Sequence, residues 1–197
     1  MTESHYSNGL RDQLHPLSAL RQELRSVDDW GVFRRGARAA AVNAILYRRE
    51  GRWCIPFVVR RADLRSHPGQ VGLPGGNVRP GEGAWAAAAR ETEEEIGVPG
   101  SALEPLGAGP VVYTAVSNYS VVPFVSSLAD PPGAFSADPH ELDGVVEVAL
   151  ARLVDEAEWR ERPGLPGPQL AVGGVVIWGL TARILAGILP PIAGALA

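Results

Sequence analysis

The stretch GGNVRPGEGAWAAAARETEEEIGV, Gly75 to Val98, constrains the fold more than any other. From position 84 to 96 it contains neither Gly nor Pro, and Gly97 with Pro99 beyond it marks a stop, so the spacing predicts a helix at about 84–96. At about 100° per residue, Glu91, Glu94 and Glu95 fall at i, i+3 and i+4 and share one face. Trp85, Ala89, Thr92 and Ile96 fall on the neighbouring face, which can lie on a sheet, and the small alanines let the helix approach it closely. Glu93 points away from the shared face, toward solvent. Like charges at this spacing destabilise a helix by a few tenths of a kcal/mol per pair, and Arg90, one turn before Glu94, cannot balance three carboxylates. The partner that suits such a face is a hard divalent cation, which prefers oxygen ligands.

The rest of the chain supplies the body for that helix. With 197 residues, 46% hydrophobic and 20% charged, the length favours one domain with a sizeable core. All 18 basic residues are arginine, and the absence of lysine excludes Schiff-base chemistry and a Walker-type phosphate loop. The net charge of -4 argues against a nucleic-acid partner, although local arginines can hold a phosphorylated small molecule. Cys54 is the only cysteine, which excludes an intrachain disulfide and fits a reducing, cytoplasmic setting; its expected place is a buried strand. The N-terminal residues carry no secretory pattern. From Leu170 to Ala197 the only charge is Arg183, but Gly173, Gly174, Gly179, Pro190 and Pro191 interrupt the run. The expectation is a strand, GGVVIWG, and a short core helix, LTARILAGIL, rather than a membrane span.

Leu14, Leu17, Leu20 and Leu24 recur at helical spacing within residues 10–30. AAAVNAILYRR and WCIPFVVRR, separated by EGR, predict a hairpin. Residues 62–83 predict a loop with one short strand, and further strands are expected near 106–116, 120–128 and 143–149, with a helix at 151–159. The pattern is an α+β chain in which helices pack on a mixed sheet as one domain.

Read for spacing, the central stretch runs Gly76, five residues, Glu82, seven residues, then Arg90-Glu91-Thr92-Glu93-Glu94-Glu95-Ile96-Gly97-Val98. This resembles the box of the Nudix hydrolases, G-x5-E-x7-R-E-U-x-E-E-x-G-U, at every fixed position, with Thr92 where an aliphatic is common. The resemblance implies an α/β/α sandwich with a mixed central sheet. Residues 1–30 would form an N-terminal helical extension and residues 31–197 the Nudix domain. It also implies hydrolysis of a nucleoside diphosphate linked to another moiety, with Mg2+ or Mn2+ as cofactor. By position, Glu91, Glu94 and Glu95 would be metal ligands, helped by the backbone carbonyl of Gly76. Arg90 would orient the carboxylates, and Glu82 would be a structural residue or a secondary ligand. A catalytically silent nucleotide-sensing module is the reading of another class, against which the intact acids speak.

Upstream, VVRRADLRSHPGQVGLPGG, residues 58–76, resembles the motif preceding the box in the coenzyme A pyrophosphatase subgroup. Arg60, Arg65, Gly69, Pro74, Gly75 and Gly76 match in register, whereas Val58, Arg61 and Leu73 depart from the subgroup's Thr, Ser and Phe. VIWGLTARIL resembles the subgroup's C-terminal strand and helix, so the likeness covers about residues 37–189. It implies cleavage of coenzyme A to 3',5'-ADP and 4'-phosphopantetheine; ADP-ribose, NADH and nucleoside triphosphates are the alternatives. Coenzyme A also carries a ribose 3'-phosphate, which calls for bidentate cationic donors. Arg60 and Arg65 are the motif-backed candidates, and strand alternation allows at most one of Arg60 and Arg61 to reach a ligand. His67 would contact phosphate or fix its loop, and Tyr119 would line the substrate side or the core. The general base varies within the family between a box glutamate and an acid on a later loop, where Glu141 stands. A homodimer is left open.

Overall fold

The computed structural model describes residues 17–64, 67–161 and 163–196. Two long strands form the spine of the sheet. β1 (Arg38–Arg49) and β2 (Arg52–Arg60) are joined by a two-residue turn in which Glu50 and Gly51 both take positive φ, matching the right-handed strand twist. β2 then pairs with β3 (Val71–Gly72) and β8 (Leu142–Ala149). On its other side β1 runs parallel to β7 (Tyr119–Leu128) in a nine-pair ladder from Arg38↔Tyr119 to Leu46↔Ser127. β4 (Gly75–Asn77) adds to β1, while β5 (Leu103–Ala108) and β6 (Val112–Thr114) add to β7. The result is an eight-stranded mixed sheet, which bears out the expected architecture.

Strand alternation divides the core between the two faces. On one face Ala41, Val122 and Phe124 receive Ala84, Ala87 and Ala88 of α2 (Ala84–Ile96), and the Trp85 ring meets Phe124 edge-on at 5.5 Å. On the other face Ala44, Leu46, Ile55 and Val125 pack against Ile184, Leu185 and Ile188 of α4 (Gly179–Leu196). Leu17 and Leu20, on the helical segment α1 (residues 17–23), join that same cluster. Cys54 is buried in β2, as expected, and burial raises its thiol pKa.

Several boundaries differ from the sequence expectation. The helix expected over residues 10–30 ends at 23, because Arg25 turns to bridge Ala108 through backbone bonds of 3.1 and 2.9 Å; residues 10–16, with Leu14, lie outside the described residues. The helix expected at 151–159 stops as α3 (Leu150–Val154) and is followed by a 3-10 turn. A small sheet of β9 (Trp159–Glu161), β10 (Pro168–Val172) and β11 (Val175–Ile177) stands where one strand was expected. α4 continues through Pro190 and Pro191 to Leu196, because Leu189 and Ile192 keep its inner face buried across the two missing donors. At 18 residues it is long and apolar enough by length and composition to cross a membrane.

Candidate active site

The site is built where β4, β1 and α2 meet. α2 covers the predicted span and ends on Gly97, whose left-handed φ of 70° lets its N–H return to the Glu93 carbonyl. β4 is held against β1 through Ala41↔Gly76, and the Asn43 N–H donates to the Pro74 carbonyl at 2.8 Å. Thr92 has a reason for departing from an aliphatic. Its hydroxyl accepts from Asn43 Nδ2 at 3.5 Å and donates to the Ala88 carbonyl, while Ser126 donates to Asn43 Oδ1 at 2.9 Å. This buried relay links α2 to β1 and β7.

Arg90 organises the acids. Its Nε and Nη2 donate to the two oxygens of Glu82 at 2.8 and 3.1 Å, its Nη1 donates to Glu91 at 2.7 Å and Glu94 at 3.0 Å, and Nη2 also reaches the Asn77 carbonyl. Glu82 additionally accepts the Arg79 N–H, and these donors hold its carboxyl down at about 2. With both oxygens engaged, Glu82 is a brace between the loop and the helix. Arg79 Nη2 lies 3.5 Å from Glu94, so two guanidiniums attend that carboxylate.

The shared face predicted for Glu91, Glu94 and Glu95 splits in depth. Glu94 is half exposed, whereas Glu95 is only 6% exposed and accepts the Gly75 N–H at 2.9 Å. Burial pushes the Glu95 carboxyl up to about 7, against the Gly75 hydrogen bond; the charges of Glu91 and Glu141 push the same way and Arg60 opposes them. Gly76 leaves room for the Glu91 carboxylate: a Cβ there would fall 2.5 Å from Glu91 Oε2, and the side chain would have to move. That close approach puts a carboxylate against the backbone of the loop, in an all-oxygen donor set that suits Mg2+ or Mn2+. Among the described residues no three acidic, His or Cys side chains are already gathered as a cation cage; Arg90 holds Glu91 and Glu94 instead.

The remaining candidates fall around this centre. Arg60 Nη1 stands 3.6 Å from Glu141 Oε2, and both charges are felt by Glu95. Arg61, just beyond the end of β2, is turned away to Asp63 and to the Pro139 carbonyl. His67, at φ 57°, bonds Gln70 Oε1 through Nδ1 at 2.8 Å and so fastens its own loop. Arg65 lies outside the described residues. The Tyr119 hydroxyl donates to Asn77 Oδ1 at 2.7 Å, which brings it to the residue beside Gly76. Glu93 is exposed as expected, and also accepts the Gly100 N–H at 3.1 Å. Arg79 and Asn77 were not singled out by spacing; both lie in the variable positions between Gly76 and Glu82. The large apolar groove of about 890 Å3 lies elsewhere, between α3, α4 and β10, and no residue from Gly76 to Glu95 lines it.

A family model described as NUDIX domain matches residues 37–166, more than half of the chain. The chain belongs to the Nudix family. Its Nudix domain is similar to the Nudix hydrolase NudL of Escherichia coli O7:K1, 42% identical over 96 residues, which are 48% of this chain and 49% of the relative. NudL of Shigella boydii serotype 18 is 40% identical over the same length. The chain thus spans about half the length of the curated relatives it matches. Among solved structures, the Nudix hydrolase RenU of M. smegmatis superposes with a TM-score of 0.54 at 15% identity, covering 88% of this chain and 96% of RenU, which supports the fold.

Proposed function

We propose that the protein is a divalent-metal-dependent hydrolase of nucleoside diphosphate derivatives, and that its substrate is coenzyme A or a close derivative. The observation that carries the reading is the convergence of Glu82, Glu91 and Glu94 on Arg90, beside Gly76 and the buried Glu95. Glu91, Glu94 and Glu95, with the Gly76 carbonyl, would hold Mg2+ or Mn2+. Such an ion neutralises a diphosphate and makes water nucleophilic near neutral pH.

The chain's own groups do the rest. Arg90 sets the orientation of Glu91 and Glu94, and Glu82 fixes Arg90. In hydrolysis the water oxygen bonds to one phosphorus and the P–O–P bridge breaks. Glu141, on its exposed loop beside Arg60 and near Glu95, would accept the water's proton. Support for coenzyme A comes from the motif of residues 58–76. A substrate panel with Mg2+ or Mn2+ tests the reading: coenzyme A should be cleaved to 3',5'-ADP and 4'-phosphopantetheine ahead of ADP-ribose, NADH and nucleoside triphosphates. Coenzyme A ranking well below ADP-ribose would overturn it. Glu94→Gln should abolish turnover with an unchanged circular dichroism spectrum; a wild type that binds nucleotides but never turns them over would instead mark a sensing module.

A further inference from the structure

Of the arginines that the sequence nominates for a peripheral phosphate, Arg65 lies outside the described residues and the other stands against an acid. Arg60 faces Glu141, and Arg61 is closed on Asp63. Around the site Arg79 and Arg90 are likewise paired with acids. Arg38 differs. It opens β1 directly opposite Tyr119, the first residue of β7, and its guanidinium carbon lies 4.4 Å above the centre of the Tyr119 ring. Among the described residues it enters no ion pair.

That pair is coupled to the box. The Tyr119 hydroxyl donates to Asn77 Oδ1, and the Asn77 carbonyl accepts from Arg90 at 3.1 Å. Three links therefore join Arg38 to the guanidinium that orients the acids. A ring covering one face of a guanidinium holds its plane and leaves the edge N–H groups outward, in the fork that suits two oxygens of a phosphate. A second stacked pair, Arg34 over Tyr113 at 4.3 Å, stands on the adjoining β6, and the Arg34 N–H is fastened to Ser120 Oγ. The surface beside Asn77 thus carries, in Arg38, cationic charge that no acid among the described residues pairs with, in a chain of net charge -4.

We propose that Arg38, held over Tyr119, binds a phosphate monoester that the substrate carries outside its scissile diphosphate. Resting on the reading above, that group is the ribose 3'-phosphate of coenzyme A, and Arg38 is a specificity determinant. Kinetics with coenzyme A and 3'-dephospho-coenzyme A test this. Arg38→Ala should raise KM for coenzyme A by roughly ten- to hundredfold, the loss expected for a charge-assisted contact, with kcat and the dephospho substrate little changed. Arg38→Lys should recover part of the loss. Arg48→Ala removes an equally charged arginine stacked on Trp53 at the far end of β1, and should change nothing. Equal losses on both substrates, or equal effects of Arg38→Ala and Arg48→Ala, would overturn the proposal.

A binding measurement separates it from the assignment of substrate. By calorimetry the wild type should bind adenosine 3',5'-bisphosphate more tightly than adenosine 5'-monophosphate, and Arg38→Ala should erase the difference. Wild-type binding that is equal for the two, or undetectable for both, overturns the phosphate site even if coenzyme A is cleaved. An Arg38-dependent preference without cleavage of coenzyme A keeps the site and removes the substrate.

Discussion

Glu95 is a buried acid, and the proposed metal site asks it to be an anion. Its carboxyl is pushed from 4.5 up to about 7 by burial, while an unfolded chain ionises at the ordinary value. Between those two values the unfolded chain gives up a proton that the folded chain keeps, so stability falls as pH rises and the full cost is reached above about 7. In chelator, wild-type protein should therefore lose up to about 3 kcal/mol between pH 4.5 and 7.5, and Glu95→Gln should lose much less. Denaturant melts of both proteins across that range check the slope; parallel curves would show that Glu95 is already ionised in the fold. Glu82 works in the opposite sense. Its carboxyl is held down at about 2, so its contribution is present above the ordinary value near 4.5 and fades as pH falls toward 2.

Within α2 the decisive positions lie at its edges. Gly97 takes φ 70°, and an added Cβ would stand 3.1 Å from the Ser136 Cβ, so Gly97→Ala should cost about 1–2 kcal/mol, seen as a fall of roughly 3–6 °C in Tm. A Tm unchanged within 1 °C or so would mean that the cap is not what ends the helix. This helix was the most legible element, since Gly97, Pro99 and the spacing of acids from Glu91 to Glu95 declare its span and its charged side in advance. What could not be read was depth. Glu91 and Glu95 stand one turn apart, yet only Glu95 meets the Gly75 N–H, because the position of β4 against β1 decides which carboxylate is covered. Arg38 and Asn77 were silent for the same reason: strand register brings them to Tyr119, and no local periodicity records it. Of the small sheet only β11 was expected; β9 and β10 went unseen because they are three and five residues long and lie among Pro and Gly. α4 was cut short by giving Pro190 and Pro191 more weight than the buried face they interrupt.

At the scale of the molecule, most of the proposed metal site stands outside the core, with Glu95 the exception. Neither Glu91 nor Glu94 is among the buried residues, and Arg90 supplies them with an internal positive charge. Removing divalent ions should therefore abolish hydrolysis while moving Tm by no more than a few degrees, and restoring Mg2+ or Mn2+ should return activity without refolding. Collapse of the fold in chelator would show that the ion is structural. The parallel ladder between β1 and β7 has a further consequence, and it concerns time. Arg38 and Tyr119 are 81 positions apart, and β2, β3, β4, α2, β5 and β6 are all strung between them. A loop of that length must close before the sheet has its centre, and such closures slow folding. Stopped-flow refolding should thus show α2 helicity recovering before Trp85 is buried against Phe124, with the chain acquiring its proposed hydrolytic site only when the second half has docked on the first.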